Sequence, residues 1–127
     1  MVDTFEDLKG TTLASVKRVK GEGDELHFML DNGETYKLYH AQDCCEDVRI
    51  EDITGDVFDL IGVPILMAEE AQSDPPARAE DEYTPESETW TFYKLATIKG
   101  YVTIRWWGTS NGCYSESVDW AKVEQPA

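Results

Sequence analysis

The chain has 127 residues, of which 41% are hydrophobic, including four Trp, six Tyr and four Phe. A chain of this length can bury one hydrophobic core but not two, so we predict a single domain over residues 1–127. The formal net charge of −15 disfavours non-specific binding to duplex nucleic acid and to anionic membranes.

The N-terminal segment is predicted to form a helical turn and then a strand. Thr4 precedes a short acidic and apolar run that ends at Gly10, which is the pattern of a capped turn lying on the core. Residues 11–19 alternate apolar and polar side chains, as a half-buried strand does.

A β-hairpin is predicted around Asn32 and Gly33, which separate strand-like runs at 25–31 and 34–40. This dipeptide favours a two-residue type I′ turn, whose register pairs Leu30 with Thr35. Three apolar residues of the first run then face the core: Leu26, Phe28 and Leu30.

The middle of the chain is predicted to contain an edge strand over 43–53 and a short capped helix over 54–62. A further strand follows at 65–71. Residues 73–88 are rich in Asp, Glu, Pro, Ser and Ala, so we expect a mobile acidic loop within the domain.

Residues 89–120 are dense in aromatic and β-branched side chains and predict a three-stranded meander. Lys99-Gly100 and Asn111-Gly112 are the predicted turns, and residues 123–127 are expected to fray. The resulting fold class is α+β, made mainly of antiparallel hairpins with one or two short helices.

The first turn of this meander, placed at Lys99-Gly100, sets Lys94 directly opposite Arg105. Two like charges at that distance disfavour the sheet by up to about 1 kcal/mol, unless an anion lies between them. We therefore predict a phosphate or carboxylate site whose aromatic walls can stack on a base or ribose. The candidate ligand-binding residues are Arg105, Lys94, Trp107, Phe92, Tyr93 and Trp90, followed by Asn111 and Ser110.

An ordinary structural role for the two cations is the alternative. If Asn111-Gly112 is also a two-residue turn, Glu116 lies within diagonal reach of Arg105 and forms a salt bridge with it. A one-residue slip of the first turn would also remove the pairing.

The cysteines and histidines do not predict catalysis or a cofactor. Cys44, Cys45 and Cys113 form an odd set with an adjacent pair, which we interpret as reduced thiols. His40 and its neighbours lack the spaced ligand pairs of a zinc site, and neither histidine adjoins Cys113. We expect no enzyme activity, no metal and no cofactor.

The expected location is the cytoplasm. The first residues lack a basic segment followed by an apolar run, and no stretch approaches the ~20 apolar residues of a membrane span. We expect no contact with membranes.

Acidic residues concentrate between 43 and 59 and usually form a solvated face. Alternatively, this charge imitates nucleic acid and occupies a basic groove on a partner, which makes an acidic protein-interaction or DNA-mimic inhibitor the second functional hypothesis. The residues are Asp43, Glu46, Asp47, Glu51, Asp52, Asp56 and Asp59.

Four segments resemble a small protein family found widely in bacteriophages and prophages. They are residues 39–46 (YHAQDCCE), 50–56 (IEDITGD), 90–97 (WTFYKLAT) and 100–108 (GYVTIRWWG). Ser110-Asn111-Gly112 and Tyr114-Ser115 are similar too, whereas relatives are expected to carry Tyr in place of Trp107 and Cys113. Together they cover most of the chain outside the N-terminus and the acidic loop.

The resemblance extends to the phage anti-defence sponges of the Thoeris-inhibiting type. It implies a homo-oligomer, a dimer or larger, that sequesters a cyclic ADP-ribose isomer or a cyclic oligonucleotide without cleaving it. The resemblance does not assign binding residues, so the Lys94, Arg105 and aromatic cluster stays a prediction from strand register.

Overall fold

A computed structural model describes residues 2–20, 23–73 and 86–124 of the chain. Within these residues, eight strands form two four-stranded antiparallel sheets, with the strand orders β1-β2-β3-β8 and β4-β7-β6-β5. The strands are β1 (Leu13–Lys20), β2 (Asp24–Leu30), β3 (Thr35–Tyr39), β4 (Asp47–Thr54), β5 (Met67–Ser73), β6 (Ser87–Thr97), β7 (Gly100–Ser110) and β8 (Asp119–Lys122).

The predicted α+β class is wrong, because the fold is nearly all antiparallel β. The two predicted helices exist only as four-residue 3-10 turns, Phe5–Leu8 and Val57–Leu60. The first begins at the predicted cap Thr4, and the second begins at Asp56, whose side chain accepts the Phe58 N–H. Cap signals mark where a helical turn starts, but too few residues follow here to propagate an α-helix. No helix in the described part of the chain could span a bilayer.

The hairpin between β2 and β3 has a three-residue loop instead of the predicted type I′ turn. Leu30 donates its N–H to the Glu34 carbonyl, which leaves residues 31–33 in the loop. Asn32 has a negative φ, whereas Gly33 has a φ of +93°, so only the glycine occupies the left-handed region. The extra residue shifts the register, and Phe28 pairs with Tyr36.

The second sheet confirms one prediction and corrects another. β4 is an edge strand, and its charged side chains are exposed as expected. β6 and β7 form the predicted first hairpin, but the third strand of the meander is wrong. β8 leaves this sheet and pairs with β3, while β4 takes the position beside β7.

A single buried cluster draws side chains from both sheets and from the first 3-10 turn. Phe5 lies over it and contacts Tyr93 edge to face, with ring centroids 4.8 Å apart. Burial of such side chains is the main favourable term in folding. The fully buried large side chains are Trp106, Tyr93, Phe5, Phe28, Leu8, Leu13, Leu26, Leu38, Leu60, Ile65, Leu95 and Ile104.

Asp24 links the two sheets through polar contacts. Its buried carboxylate accepts the Ile50 N–H of β4 at 3.0 Å and the Arg18 guanidinium of β1 at 3.1 Å. Burial raises the pKa of Asp24, but these two hydrogen bonds outweigh it and keep the pKa below its ordinary value.

The predicted acidic loop lies mostly outside the described residues, which omit 74–85. At its borders, Ser73 ends β5 and Ser87 begins β6. The predicted frayed tail is described only at Val123 and Glu124, and the Val123 N–H donates to the Thr35 carbonyl at 2.8 Å.

Gly55 marks the closest backbone approach in the second sheet. Its φ is +97°, and a Cβ added there would lie 2.3 Å from the Tyr101 carbonyl oxygen. Gly62 has a similar φ of +84° but has no neighbouring atom within 4 Å of an added Cβ.

We expect Gly55→Ala to lower the free energy of unfolding by about 3 kcal/mol or more, because the cost of the backbone strain and the cost of the collision with Tyr101 are summed. Gly62→Ala is the matched control and should cost about 1 kcal/mol, since only the strain applies. Urea unfolding measures both free energies. Equal losses would show that the close approach contributes nothing.

Candidate functional site

The β6–β7 hairpin has an inner face in the core and an outer face directed away from it. Side chains alternate along each strand, so Tyr93 and Trp106 are buried while their neighbours point outward. The outer face carries Trp90, Phe92, Lys94, Thr103, Arg105 and Trp107.

The predicted direct pairing of Lys94 with Arg105 is wrong. The turn comprises Ile98 and Lys99, one residue earlier than predicted, because Thr97 pairs with Gly100. Lys94 therefore faces Thr103, and Arg105 faces Phe92. Lys94 and Arg105 still lie on the same outer face, as diagonal neighbours on adjacent strands.

Two tryptophans and two arginines form what we call the Trp-Arg stack, consisting of Arg49, Trp107, Trp90 and Arg105. The Trp90 and Trp107 rings stack with centroids 5.6 Å apart and an interplanar angle of 18°. Arg49 lies over Trp107 at 4.8 Å, and Arg105 lies over Trp90 at 5.1 Å. Each cation–π contact stabilises by about 0.5–1 kcal/mol at a partly exposed site, and the stack fixes both guanidinium groups.

The two arginines differ in their polar partners. Arg49 contacts Asp47 at 3.4 Å and Glu51 at 3.3 Å. Arg105 has no hydrogen bond or ion pair to any described residue, and its Nε is buried without a partner. Asp52 is its cross-strand neighbour in β4 but forms no ion pair with it. Arg105 therefore retains unused hydrogen-bond donors.

Phe92 provides the open aromatic surface at this site. Among the described residues its ring makes no aromatic or cation–π contact, whereas Trp90 and Trp107 stack on each other and each also contacts an arginine. Its neighbour in β5 is Ala71, whose small side chain leaves space beside the ring. We name Phe92, Lys94, Thr103 and Arg105 the anion site.

The exposed Lys94 side chain supplies the second cation of the anion site. It lies opposite Glu69 of β5, yet forms no ion pair within the described residues. Cross-strand acids thus border both cations of the site, Glu69 beside Lys94 and Asp52 beside Arg105.

Three predicted ligand-binding residues lie away from the anion site. Tyr93 points into the core, and burial raises its pKa far above the ordinary value. Ser110 donates to Glu116 at 2.5 Å, and the Asn111 side chain accepts the Cys113 N–H at 2.9 Å within its own turn. Neither of these two groups is directed at Arg105.

The predicted salt bridge between Arg105 and Glu116 does not form. Glu116 lies in the connection between β7 and β8, where its buried carboxylate accepts hydrogen bonds from Thr89 at 2.7 Å and from Ser110. The prediction required a third meander strand, which the structure replaces with this connection.

Arg49 and Thr103 belong to this region but were not among the predicted site residues. The observed register brings Thr103 opposite Lys94, the position that the prediction gave to Arg105. Arg49 lies on the predicted edge strand β4, but the sequence contains no signal that this strand pairs with β7.

His40 and Glu46 form a buried pair remote from the outer face. The two His40 nitrogens contact the Ser117 carbonyl at 2.7 Å and the Glu46 carboxylate at 2.9 Å. The Ser117 carbonyl and the Glu46 carboxylate both accept hydrogen bonds, so a His40 ring N–H can donate to either of them. Glu46 also accepts the N–H groups of Asp43 and Cys44. The pair ties the β3–β4 connection to the segment before β8.

The structure places the sulfur atoms of Cys44 and Cys45, which were predicted to be reduced thiols, next to each other. Both residues lie in a bend before β4 instead of in a strand, so their side chains do not alternate between two faces. Cys113 is a free, exposed thiol. No metal-binding group of three or more His, Cys, Asp or Glu side chains occurs among the described residues.

Most of the acidic residues between 43 and 59 are exposed, as expected of a solvated face: Asp43, Asp47, Glu51, Asp52 and Asp56. Asp59 is half-buried, and Glu46 is buried with His40. Asp47 and Glu51 are paired with Arg49, so part of the exposed charge is compensated within the chain.

Comparison with known proteins identifies the family. Residues 6–120 match the model described as "Domain of unknown function (DUF7448)". The chain belongs to this family. No curated protein and no solved structure matches it. The DUF7448 match runs from the first 3-10 turn into β8, so it includes the whole anion site and the His40–Glu46 pair.

Glu46 should make the stability of this DUF7448 protein dependent on acid pH. Two hydrogen bonds lower the pKa of Glu46 from 4.5 to about 2. The bond from the Asp43 N–H has the larger effect, and the bond with the His40 ring has the next largest. A carboxyl group with a lowered folded-state pKa stabilises above its unfolded pKa, and this contribution is lost as pH falls from about 4.5 to about 2.

We expect Glu46→Gln to lower the Tm at pH 7 by roughly 5–10 °C and to flatten the dependence of Tm on pH in that acidic range. Thermal unfolding followed by circular dichroism at several pH values measures this. Glu6→Gln is the control, because Glu6 is exposed and its carboxylate has no hydrogen bond to a described residue. An equal acid dependence in Glu46→Gln and the native protein would contradict the assignment.

Proposed function

We propose that this protein binds a small phosphorylated nucleotide at the anion site and sequesters it without cleaving it. The proposed ligand class is a cyclic ADP-ribose isomer or a cyclic oligonucleotide, and the proposed context is phage anti-defence in the bacterial cytoplasm. One observation carries the proposal: the Arg105 guanidinium is held against Trp90, has a buried Nε without a partner, and forms no ion pair with a described residue.

Phosphate recognition suits an arginine in this setting. A guanidinium presents a planar fork of donors that matches two phosphate oxygens, and such charge-assisted bonds are about twice as strong as neutral ones. Arg105 is already fixed by Trp90, so less side-chain freedom is lost when a ligand binds. This preorganisation supports slow ligand release, which sequestration requires.

The neighbouring groups suit the remaining parts of a nucleotide. The ammonium of Lys94 lies diagonal to Arg105 and supplies a second cation for the phosphate. Phe92 offers a half-buried ring without an aromatic partner among the described residues, on which a base can stack, a contact worth about 1–3 kcal/mol. Trp90 and Trp107 are proposed to position Arg105, because they already stack on each other and contact the two arginines.

The charge of the whole chain favours a small ligand over a nucleic acid. A net charge of −15 repels a long polyanion at every phosphate, whereas a nucleotide meets only the local field of Lys94 and Arg105. Glu69 and Asp52 weaken that field. They also provide acceptors for ribose hydroxyl groups, which carboxylates bind in other nucleotide sites.

Binding without turnover and homo-oligomerisation are part of the same proposal. The groups at the anion site are cations, an aromatic ring and a hydroxyl, and both histidines contact glutamates elsewhere. A second copy would cover a ligand on an otherwise open sheet face and slow its release. The half-exposed Trp and Arg side chains of the outer face suit such an interface.

Calorimetry with cyclic ADP-ribose isomers and cyclic dinucleotides tests the proposal. We expect heat with at least one of them, and Arg105→Gln should weaken binding by about tenfold or more because charge-assisted bonds are lost. Arg49→Gln is the matched control. It removes the arginine at the other end of the Trp-Arg stack, and this arginine is already paired with Asp47 and Glu51.

The Arg49→Gln variant should bind within about threefold of the native protein. Chromatography after prolonged incubation should recover the ligand intact. The absence of heat with all ligands at protein concentrations well above micromolar contradicts the proposal. An equal loss of affinity in both variants would instead assign Arg105 a structural role.

A further inference from the structure

Four large hydrophobic side chains are strongly exposed among the described residues. They are Phe58 at 72%, Leu66 at 56%, Ile98 at 82% and Tyr101 at 75% exposure. Isolated exposed apolar residues are common on any protein and need no explanation. A group of them at one place is different, because contiguous apolar patches mark interaction surfaces.

These four residues come from three segments that meet at one end of the second sheet. Thr97, next to Ile98, donates its hydroxyl to the Asp59 carbonyl, next to Phe58, at 2.5 Å. The Leu66 N–H donates to the Ala96 carbonyl at 2.8 Å. Ala96 in turn pairs with Tyr101 across the β6–β7 hairpin. We call this group the apolar tip.

Local packing does not explain the apolar tip. Leu60 of the second 3-10 turn is buried, whereas Phe58 of the same turn points outward. Ile98 occupies a hairpin turn, where small or polar residues are usual. The core is complete without either side chain, and each remains exposed in the isolated chain.

We propose that the apolar tip docks into an apolar pocket of a partner protein whose rim carries lysine and arginine. The carboxylates beside the tip are Asp56 and Asp59, and neither forms an ion pair within the described residues. Two lysines of the described residues also lie near the tip: Lys99 donates to the Ile61 carbonyl at 3.0 Å, and Lys9 precedes Gly10, whose N–H donates to the Ile65 carbonyl. The unpaired carboxylates beside the tip and the net charge of −15 of the chain favour a basic partner.

Charge decides which occupant suits the apolar tip. A second copy docked through its own apolar tip would bring the same Asp56 and Asp59 carboxylates, so like charges would meet at this surface. A basic rim gains from both the local carboxylates and the long-range field. This inference does not depend on the proposed nucleotide function, which uses Phe92, Lys94 and Arg105.

Site-specific photo-crosslinking followed by binding of purified proteins tests the docking surface. The full chain carries benzoylphenylalanine in place of Ile98, or in place of Lys20 on the edge of the other sheet as a matched exposed control. Crosslinking is carried out in cells that express the chain, and adducts are identified by mass spectrometry. We expect a basic protein crosslinked through position 98 but not through position 20.

The identified protein is then purified and titrated with the native chain and with variants. Ile98→Ser and Phe58→Ser should each weaken binding by about tenfold or more, because such anchors dominate interface affinity. Asp56→Asn with Asp59→Asn should reduce the salt dependence of Kd. The Tm should stay unchanged in all of them, since these side chains lie outside the core.

Several results would overturn the docking proposal. They are no adduct at position 98, equal adducts at both positions, a purified pair that does not bind, or an adduct made only with a second copy of this chain. Preferential sedimentation of the native chain with phosphatidylcholine vesicles, lost in Ile98→Ser, would assign the tip to a membrane instead. We expect the Ile98→Ser variant to give the same heat of binding with cyclic nucleotides as the native chain. The docking proposal and the proposed nucleotide function can then fail independently.

Discussion

The register of the β6–β7 hairpin is the constraint on which the candidate site depends. The turn at Ile98 and Lys99 places Phe92 opposite Arg105 and Trp90 opposite Trp107. Strand alternation then sends Tyr93 and Trp106 into the core and leaves their neighbours outside. The same hairpin therefore supplies the centre of the hydrophobic core on one face and the anion site on the other. A change in turn length would alter both faces together.

The outer face is a local exception in a strongly acidic protein. Cation–π contacts hold Arg49 and Arg105 at the two ends of a tryptophan pair, but only Arg49 is neutralised by nearby acids. Arg105 thus combines a fixed position with free donors, which is the property a phosphate site needs. Elsewhere, buried carboxylates act as structural acceptors. Asp24 joins the two sheets, while Glu46 and Glu116 each bind the loops around them.

The sequence predicted the strands and their buried faces better than their pairings. In the β6–β7 hairpin the turn moved by one residue without changing length, so every side chain kept its face while its partner changed by two positions. In the β2–β3 hairpin the observed loop is one residue longer than the predicted turn. Leu30 therefore pairs with Glu34, whereas the prediction paired it with Thr35. The pairings of β4 with β7 and of β8 with β3 join distant segments, and no local signal specifies them. The sequence therefore could not predict the Trp-Arg stack or the position of Glu116.

Cross-strand nuclear Overhauser effects in the free protein test the central claim most directly, because they report which residues face each other across β6 and β7. The structure predicts contacts between the backbones of Phe92 and Arg105, and of Trp90 and Trp107. Contacts between Lys94 and Arg105 in their place would contradict the register. They would also remove the observed placement of Arg105 against Trp90, on which the anion site and the proposed function depend.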